Sequence, residues 1–299
     1  MKIRPYQHET DFDRISQFLN QNYLPGDVFT PWLQPRWEYL HYHPSILSLD
    51  RTLFGVAEEK GTIRGIVHFE SSHAEVFIQT HPDDSPLKEA LLNYAERNNF
   101  QSLSNSTGRM IRSVYVNDFD HEFESIIASR GYEKWVDYVE ENSRYLLDDD
   151  IPTAKLPSGF AIQSLEDEND LHKINRVLWR GFNHEGPPPE EEIEGRLFGQ
   201  KAPNFRKDLT MVAVAPDESF VSYCGMWYVP QHQLAYLEPL ATDPDFRRIG
   251  LGKAVVYESL RRVKALGAKI VWVGSGQEFY KAIGFQQMFS VYPWVKFID

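Results

Sequence analysis

The sequence predicts an α+β (mixed α/β) protein of two tandem domains, each a mostly antiparallel central sheet flanked by helices. Three observations carry that reading. The chain has 299 residues, about twice a typical domain of ~150. Short apolar strands and amphipathic helices follow one another in the same order on either side of a break at residues 148–159. Single residues repeat in register as well: Ile3, Asp11-Phe12 and Ile15 recur as Ile162, Asp170-Leu171 and Ile174, and Ala128-Ser129-Arg130-Gly131-Tyr132 is echoed by Ala282-Ile283-Gly284-Phe285. A pattern that restarts in this way marks a repeated structural unit. The expected boundaries are residues 1–147, a linker over 148–159, and residues 160–299.

Composition bounds the function classes. Hydrophobic residues make up 42% and aromatic residues 14% of the chain, enough for two packed cores and too much for long disorder. The net charge of −12 argues against a general nucleic-acid or anionic-membrane surface. Cys224 is the single cysteine, which excludes an intrachain disulfide and a multi-cysteine zinc site. The N-terminus has no signal-peptide apolar core, and no run reaches the roughly 18 apolar residues of a membrane span. The expectation is a cytoplasmic monomer or homodimer that binds neither nucleic acid nor membrane.

The first half opens with a strand at 3–6 and a helix in which Phe12, Ile15, Phe18 and Leu19 recur at helical spacing. Residues 23–50 are rich in aromatics and prolines and are helical in part. His41 and His43 there are two histidines without a third ligand nearby, so structural roles outweigh metal binding. Strands over 52–58, 63–70 and 73–79 form a meander, the second following a turn at Lys60-Gly61. A helix from Leu87 to Arg97, a strand from Met110 to Val116, a helix through Phe123, Ile126 and Ile127, and a hairpin over 132–147 complete the half. The linker is acidic at Asp148-Asp149-Asp150, then rich in proline and glycine.

The second half repeats the order: a helix through Ile174, Val177 and Leu178, the segment Trp179 to Glu185, three prolines, and a helix with acidic first turns from Glu190 to Glu194. Strands over 210–215, 220–228 and 233–240 follow. The last runs into Asp243-Pro244-Asp245-Phe246-Arg247-Arg248-Ile249-Gly250-Leu251-Gly252-Lys253 and then an amphipathic helix through Val255, Val256, Leu260 and Val263. This order builds an anion cradle. The first N–H groups of a helix lack intrahelical acceptors and sit at the positive end of its dipole. Gly250 and Gly252 carry no Cβ to keep a phosphate away, and Arg247, Arg248 and Lys253 add positive charge. A Walker A loop ending at Gly252-Lys253 would need glycine at Arg247 and Ser or Thr at Ala254. A dinucleotide fingerprint from Gly250 would want Gly or Ala at Val255. Both fail. The counterpart in the first half, at 76–97, has Asp83 and Asp84 where the arginines stand, and aspartates repel a phosphate.

The remaining pattern, Arg247-Arg248-x-Gly250-x-Gly252, resembles the acetyl-CoA pyrophosphate loop of the GCN5-related N-acetyltransferase (GNAT) superfamily. Gln277-Glu278-Phe279-Tyr280-Lys281-Ala282-Ile283-Gly284-Phe285 is similar to that superfamily's tail, in which a tyrosine on a short helix is followed by Gly-Phe. The resemblance implies two tandem GNAT-like folds, the first degenerate, and acetyl-CoA as co-substrate without a metal. It implies that N–H groups at Ile249, Gly250, Leu251 and Gly252 hold the pyrophosphate, and that the backbone of Leu240, Ala241 and Thr242 bonds the pantetheine and the thioester. Tyr280 corresponds to the tyrosine that donates a proton to the leaving thiolate, or else is a packing residue; the matching position in the first half is Ile127.

Glu238 stands in an otherwise apolar strand where family members place a base that works through water, a role that burial would favour by raising its pKa. A structural strand carboxylate is the alternative, and His184 and Glu185 are rival bases. In this fold the first two helices wall the acceptor, which points to Trp179, Phe182, Asn183, His184 and Glu185. The Glu190–Glu194 run either favours a cationic amine or is a solvated helix face. The function implied is acetyl transfer to a primary amine of a small molecule or peptide by direct attack in a ternary complex. A non-catalytic acyl-CoA sensor is the alternative.

Overall fold

The computed structural model describes residues 1–23, 32–104 and 107–298. Its elements in chain order begin with β1 Lys2–Pro5, α1 His8–Gln21, α2 Gln34–Tyr42, β2 Gly55–Glu59, β3 Thr62–His68 and β4 Glu75–Thr80. There follow α3 Leu87–Arg97, β5 Ser102–Leu103, β6 Met110–Asn117, α4 His121–Ser129, β7 Glu133–Lys134 and β8 Glu140–Leu146. The second half contains β9 Ala161–Ser164, α5 Leu171–Gly181, α6 Glu192–Gly199, β10 Met211–Val214, β11 Phe220–Val229 and β12 Leu234–Thr242. It ends with α7 Leu251–Ala265, β13 Ile270–Val273, α8 Glu278–Ala282 and β14 Gln286–Ile298. The fold is mixed α/β with mostly antiparallel sheets, as the sequence predicts.

The chain forms two compact units. One comprises Met1–His41, Ser45–Asn142 and Met288–Asp299; the other comprises Tyr42–Pro44 and Ser143–Gln287. In the first, strands run β1-β2-β3-β4-β6-β14, all neighbours antiparallel except the parallel pair β4 and β6. In the second they run β9-β10-β11-β12-β13-β8, again with one parallel pair, β12 and β13. The two sheets have one topology, as the repeated sequence pattern requires.

Three expectations need correction. The boundaries at 147 and 160 do not divide the units, because each sheet takes its last strand from the other half of the chain. Val291–Ile298 pairs with Asn117–Met110, while Ser143–Leu146 pairs with Val273–Ile270. For the same reason residues 132–147 are not a hairpin: Glu133 and Lys134 pair with Val295 and Trp294. Strand partners are a long-range choice that local patterning does not encode. The segment 148–159 is also packed, despite its linker composition. Ile151, Ala154 and Leu156 lie against the core of the second unit, and Lys264 and Arg261 of α7 donate to the carbonyls of Asp149 (2.7 Å) and Pro152 (3.1 Å).

Helix α1 buries Phe12, Ile15, Phe18 and Leu19 on one face. Its Asp11 is fully buried, receives two hydrogen bonds from Arg4 (2.6 and 2.8 Å), and accepts from the Gln7 N–H. His41 is buried with both ring nitrogens engaged, one by the Tyr6 hydroxyl (3.1 Å) and one by the Trp37 carbonyl (2.8 Å), so it serves packing. Among the described residues no group of three or more His, Cys, Asp or Glu is placed to hold a metal ion. No described helix is long and apolar enough to cross a membrane.

Candidate functional site

The expected cradle lies between β12 and α7. After Thr242, Asp243 caps a short 3-10 turn, Pro244–Phe246, and four residues lead into α7. Arg248 (φ 62°) and Gly250 (φ 93°) both adopt the left-handed conformation. Placed among ordinary residues, such conformations turn successive N–H groups toward one point, an anion-binding nest. Helix α7 follows for 15 residues with no side chain capping its first N–H groups, which stay available to a ligand.

The two glycines are needed for different reasons. A Cβ on Gly250 would meet nothing closer than the Lys155 carbonyl at 3.9 Å, so its requirement is the positive φ. A Cβ on Gly252 would stand 3.2 Å from Thr242 Oγ1 and 3.5 Å from the Phe279 ring, so its requirement is close packing. Leu251 is buried beneath the loop, and Ile249 stays 43% exposed at its rim.

The basic side chains also divide their work. Arg247, expected at the phosphate, donates from Nε to the Thr242 carbonyl (3.0 Å) and from Nη2 to the Gly181 carbonyl (2.8 Å). It ties the end of β12 to the end of α5. Lys253 sits 5.1 Å over the Tyr257 ring. Arg248 is exposed and makes no hydrogen bond or ion pair among the described residues, which leaves it as the free guanidinium of the loop.

A buried carboxylate locks this loop. Asp243 is fully buried and accepts from Arg180 Nε (2.7 Å) and the Asp245 N–H (3.1 Å), with Arg176 at 3.3 Å. Burial pushes its carboxyl upward, but the Arg180 hydrogen bond, the backbone N–H and the two guanidinium charges outweigh that and hold it below the usual range. Arg180 also reaches Asp245 at 2.6 Å. Gly181 completes the contact: a Cβ there would be 2.7 Å from that of Ala241. None of Asp243, Arg176 or Arg180 was evident in the sequence, although Asp before Pro is a recognised turn cap.

Strand β12 is bulged at the expected base. Cys224 pairs with Leu240 but Met226 pairs with Leu237, so Gly225 faces two residues, Glu238 and Pro239. A Cβ on Gly225 would lie 2.4 Å from the Glu238 carbonyl oxygen, and Trp227 Nε1 donates to that oxygen at 2.8 Å. The bulge resets the alternation: Leu237 and Leu240 both pack toward the α7 side, while Ala241 joins the α5 side. Glu238 thus projects from the face opposite α7 and is half-buried. An isolated glycine inside an apolar strand was the available signal for this. Beyond Tyr236, β12 has no strand partner on its β13 side among the described residues, since that parallel pairing covers only Leu234–Tyr236.

Tyr280 is 7% exposed, packed edge-on to Phe279 and Phe285. Its hydroxyl makes no hydrogen bond among the described residues. Burial, then the nearby Cys224 and Glu238, push its pKa above the ordinary phenol value, so it is protonated at neutral pH. Burial also pushes the Cys224 thiol up to about 12, against a smaller opposing effect of the Ser259 hydroxyl.

Of the expected acceptor wall, Trp179 stacks on His184 (ring centroids 4.4 Å apart) and donates to the Gly186 carbonyl at 3.1 Å. Phe182, Asn183, His184 and Glu185 are exposed. They follow directly after Gly181 at the end of α5. In the acidic run, Glu192 pairs with Arg196 (2.6 Å) and Glu190 approaches His172 (3.7 Å); Glu191 and Glu194 are solvated.

Known proteins resemble the chain in fold and, over part of its length, in sequence. Residues 170–285 match the acetyltransferase (GNAT) family. An uncharacterized N-acetyltransferase of Methanocaldococcus jannaschii is 32% identical over 76 residues, covering 23% of this chain and 34% of that protein; the chain thus spans about a third of that relative's length. A tandem GNAT protein from the clavulanic acid biosynthesis pathway superposes with a TM-score of 0.66 at 12% identity, over 99% of this chain and 98% of that one. A GCN5-related N-acetyltransferase from Sphaerobacter thermophilus gives 0.62 at 13% identity, over 99% and 95%. The family match lies in the second half of the chain, and the fold over the whole chain is that of tandem GNAT proteins.

Proposed function

We propose that the second unit moves an acetyl group from acetyl-CoA to a primary amine of a small molecule or peptide. The observation that carries this reading is the continuity of three features: the nest at the start of α7, the unpaired edge of β12 leading from it, and Glu238 and Tyr280 near the far end of that edge. A pyrophosphate suits the nest, with Arg248 as its charge partner. An unpaired strand edge takes an extended chain, which suits pantetheine along Leu240, Ala241 and Thr242.

The amine nitrogen attacks the thioester carbonyl carbon and the C–S bond breaks. The nitrogen's proton passes through water to Glu238, and the Tyr280 hydroxyl gives its proton to the departing thiolate, so protons balance. Direct transfer is favoured because Cys224, the only cysteine, is a buried and protonated thiol, unsuited to forming an acyl-enzyme. The test is CoA release from acetyl-CoA with an amine library of polyamines, aminoglycosides, amino acids and peptides. Turnover that Glu238→Gln slows by about a hundredfold or more supports the assignment. Tight acetyl-CoA binding with no release for any amine identifies a sensor instead.

A further inference from the structure

Across the sheet of the second unit, strand pairing aligns one row of side chains: Trp227 opposite Tyr236, Tyr236 opposite Trp272, and Trp272 opposite Arg144. Paired residues project from the same face. This is the face away from α7, because the intervening Ala235, Leu237 and Val271 belong to the α7 core. Glu238, two residues along β12 from Tyr236, shares it.

Arg144 has no counter-ion among the described residues. It is half-buried, its Nε is shielded from solvent without an acceptor, and it makes no ion pair or hydrogen bond among the described residues. Elsewhere in this unit Arg176, Arg180, Arg196, Arg206, Arg261 and Arg262 each lie beside a carboxylate. Withdrawing a guanidinium from water without a partner is unfavourable, and such a position persists when something outside the fold pairs with it. The guanidinium fork matches a carboxylate in two parallel hydrogen bonds.

Resting on the acetyltransferase reading, we infer that the acceptor carries a carboxylate as well as the amine, and that Arg144 binds it. Two strand spacings and two residues separate Arg144 from Glu238, about 12 Å between Cα positions. A zwitterion fits between them, its amine toward Glu238 and its carboxylate toward Arg144. That selects amino acids or peptides with a free C-terminus over polyamines.

The experiment compares kcat/KM for matched amines: lysine with cadaverine, ornithine with putrescine, tryptophan with tryptamine, and phosphoethanolamine with ethanolamine. In the first three pairs the wild type should prefer the carboxylate-bearing member by about ten- to hundredfold, the effect of one charged hydrogen-bonding contact, and the phosphate pair should show no such preference. In Arg144→Gln that ratio should fall toward one, chiefly through KM; Arg144→Lys should keep part of it. The melting temperature of Arg144→Gln should be unchanged or raised, since an unpaired half-buried charge is removed. Equal rates within the three carboxylate pairs, or a preference there that survives Arg144→Gln, overturns the inference. A preference confined to the phosphate pair overturns the choice of carboxylate. Calorimetric titration of the CoA-bound protein with lysine separates the two readings. Arg144-dependent binding without turnover leaves this inference standing and removes the catalytic one; neither binding nor turnover removes both.

Discussion

Both units carry the same passage from strand to helix, with opposite results. In each, the strand that pairs in parallel with its neighbour ends in a threonine, Thr80 or Thr242. The next side chain, His81 or Asp243, caps a proline-led 3-10 turn by accepting from the N–H two residues on, at 3.2 and 3.1 Å. The passages part after that turn. The first enters α3 through Ser85 and Pro86 with no left-handed residue, and its Asp84 is paired with Arg64 at 2.6 Å. The second enters α7 through the four residues Arg247 to Gly250, two of them left-handed, with Arg248 exposed.

The ends of the units repeat the comparison. Helices α4 and α8 stop at left-handed Gly131 and Gly284, and each is closed by the N–H of the next residue, Tyr132 to the Ile127 carbonyl (3.3 Å) and Phe285 to the Tyr280 carbonyl (3.0 Å). Ile127 therefore stands where Tyr280 does. The sheet and its helices recur in both units, so a connection of four residues in place of two, and single side chains, make the difference.

The largest expected effect breaks the loop's lock. Asp243→Ala should cost about 2–3 kcal/mol, less than a fully buried pair because its arginines are partly exposed. Denaturant unfolding checks this, together with loss of CoA affinity; an unchanged midpoint would remove Asp243 from the loop's support. Tyr280→Phe should slow turnover about ten- to hundredfold with CoA affinity intact, whereas Ile127→Phe should leave turnover unaltered. Equal effects at the two positions would erase the distinction drawn between the two helices.

Charge alone should not convert one loop into the other. Arg248→Glu should weaken CoA binding about tenfold at low salt without lowering the melting temperature. The double change Asp83→Arg and Asp84→Arg should create no second CoA site, because the first loop lacks the left-handed residues. Two equivalents of CoA bound to that variant in calorimetry would show that charge, not backbone shape, decides.

The smallest effect concerns acid. Burial, with the Arg36 charge adding and the Phe69 carbonyl opposing, lowers His68 of the first unit to about 3, and burial first of all holds His41 well below its usual value. Unfolded histidines take up protons from about pH 6.5 while these do not, so the first unit loses stability as pH falls from about 6.5 toward 3. His43 contributes the same sign in the second unit down to about 4. Asp243, with its pKa lowered, stabilises the second unit at all pH above the carboxylate range and loses that contribution only as pH falls through its own pKa. Hydrogen exchange at pH 7 and 5 should therefore show β3 opening before α7; uniform opening would contradict it.

Much of the fold was legible because its signals are local. The periodicity of α1, α3 and α7, the alternation of the meander and the restart after the linker each follow from side chains within a few residues of one another. The Arg-Arg-x-Gly-x-Gly loop was legible for the same reason: a helix start, its glycines and its charges are contiguous in sequence. What each charge does was not. Arg247 and Arg248 are adjacent, yet only the fold decides that one meets the Gly181 and Thr242 carbonyls and the other faces solvent.

By itself the sequence determined that two copies of one α/β unit exist and that one of them carries the Arg-Arg-x-Gly-x-Gly loop at a helix start. Tertiary structure alone decided that each sheet is closed by a strand from the other half, that Gly225 makes room for a bulge at Glu238, and that Arg144 shares a face with that carboxylate. Each of these depends on which strand lies beside which and in what register. That choice is made by long-range packing, and no short stretch of sequence contains it.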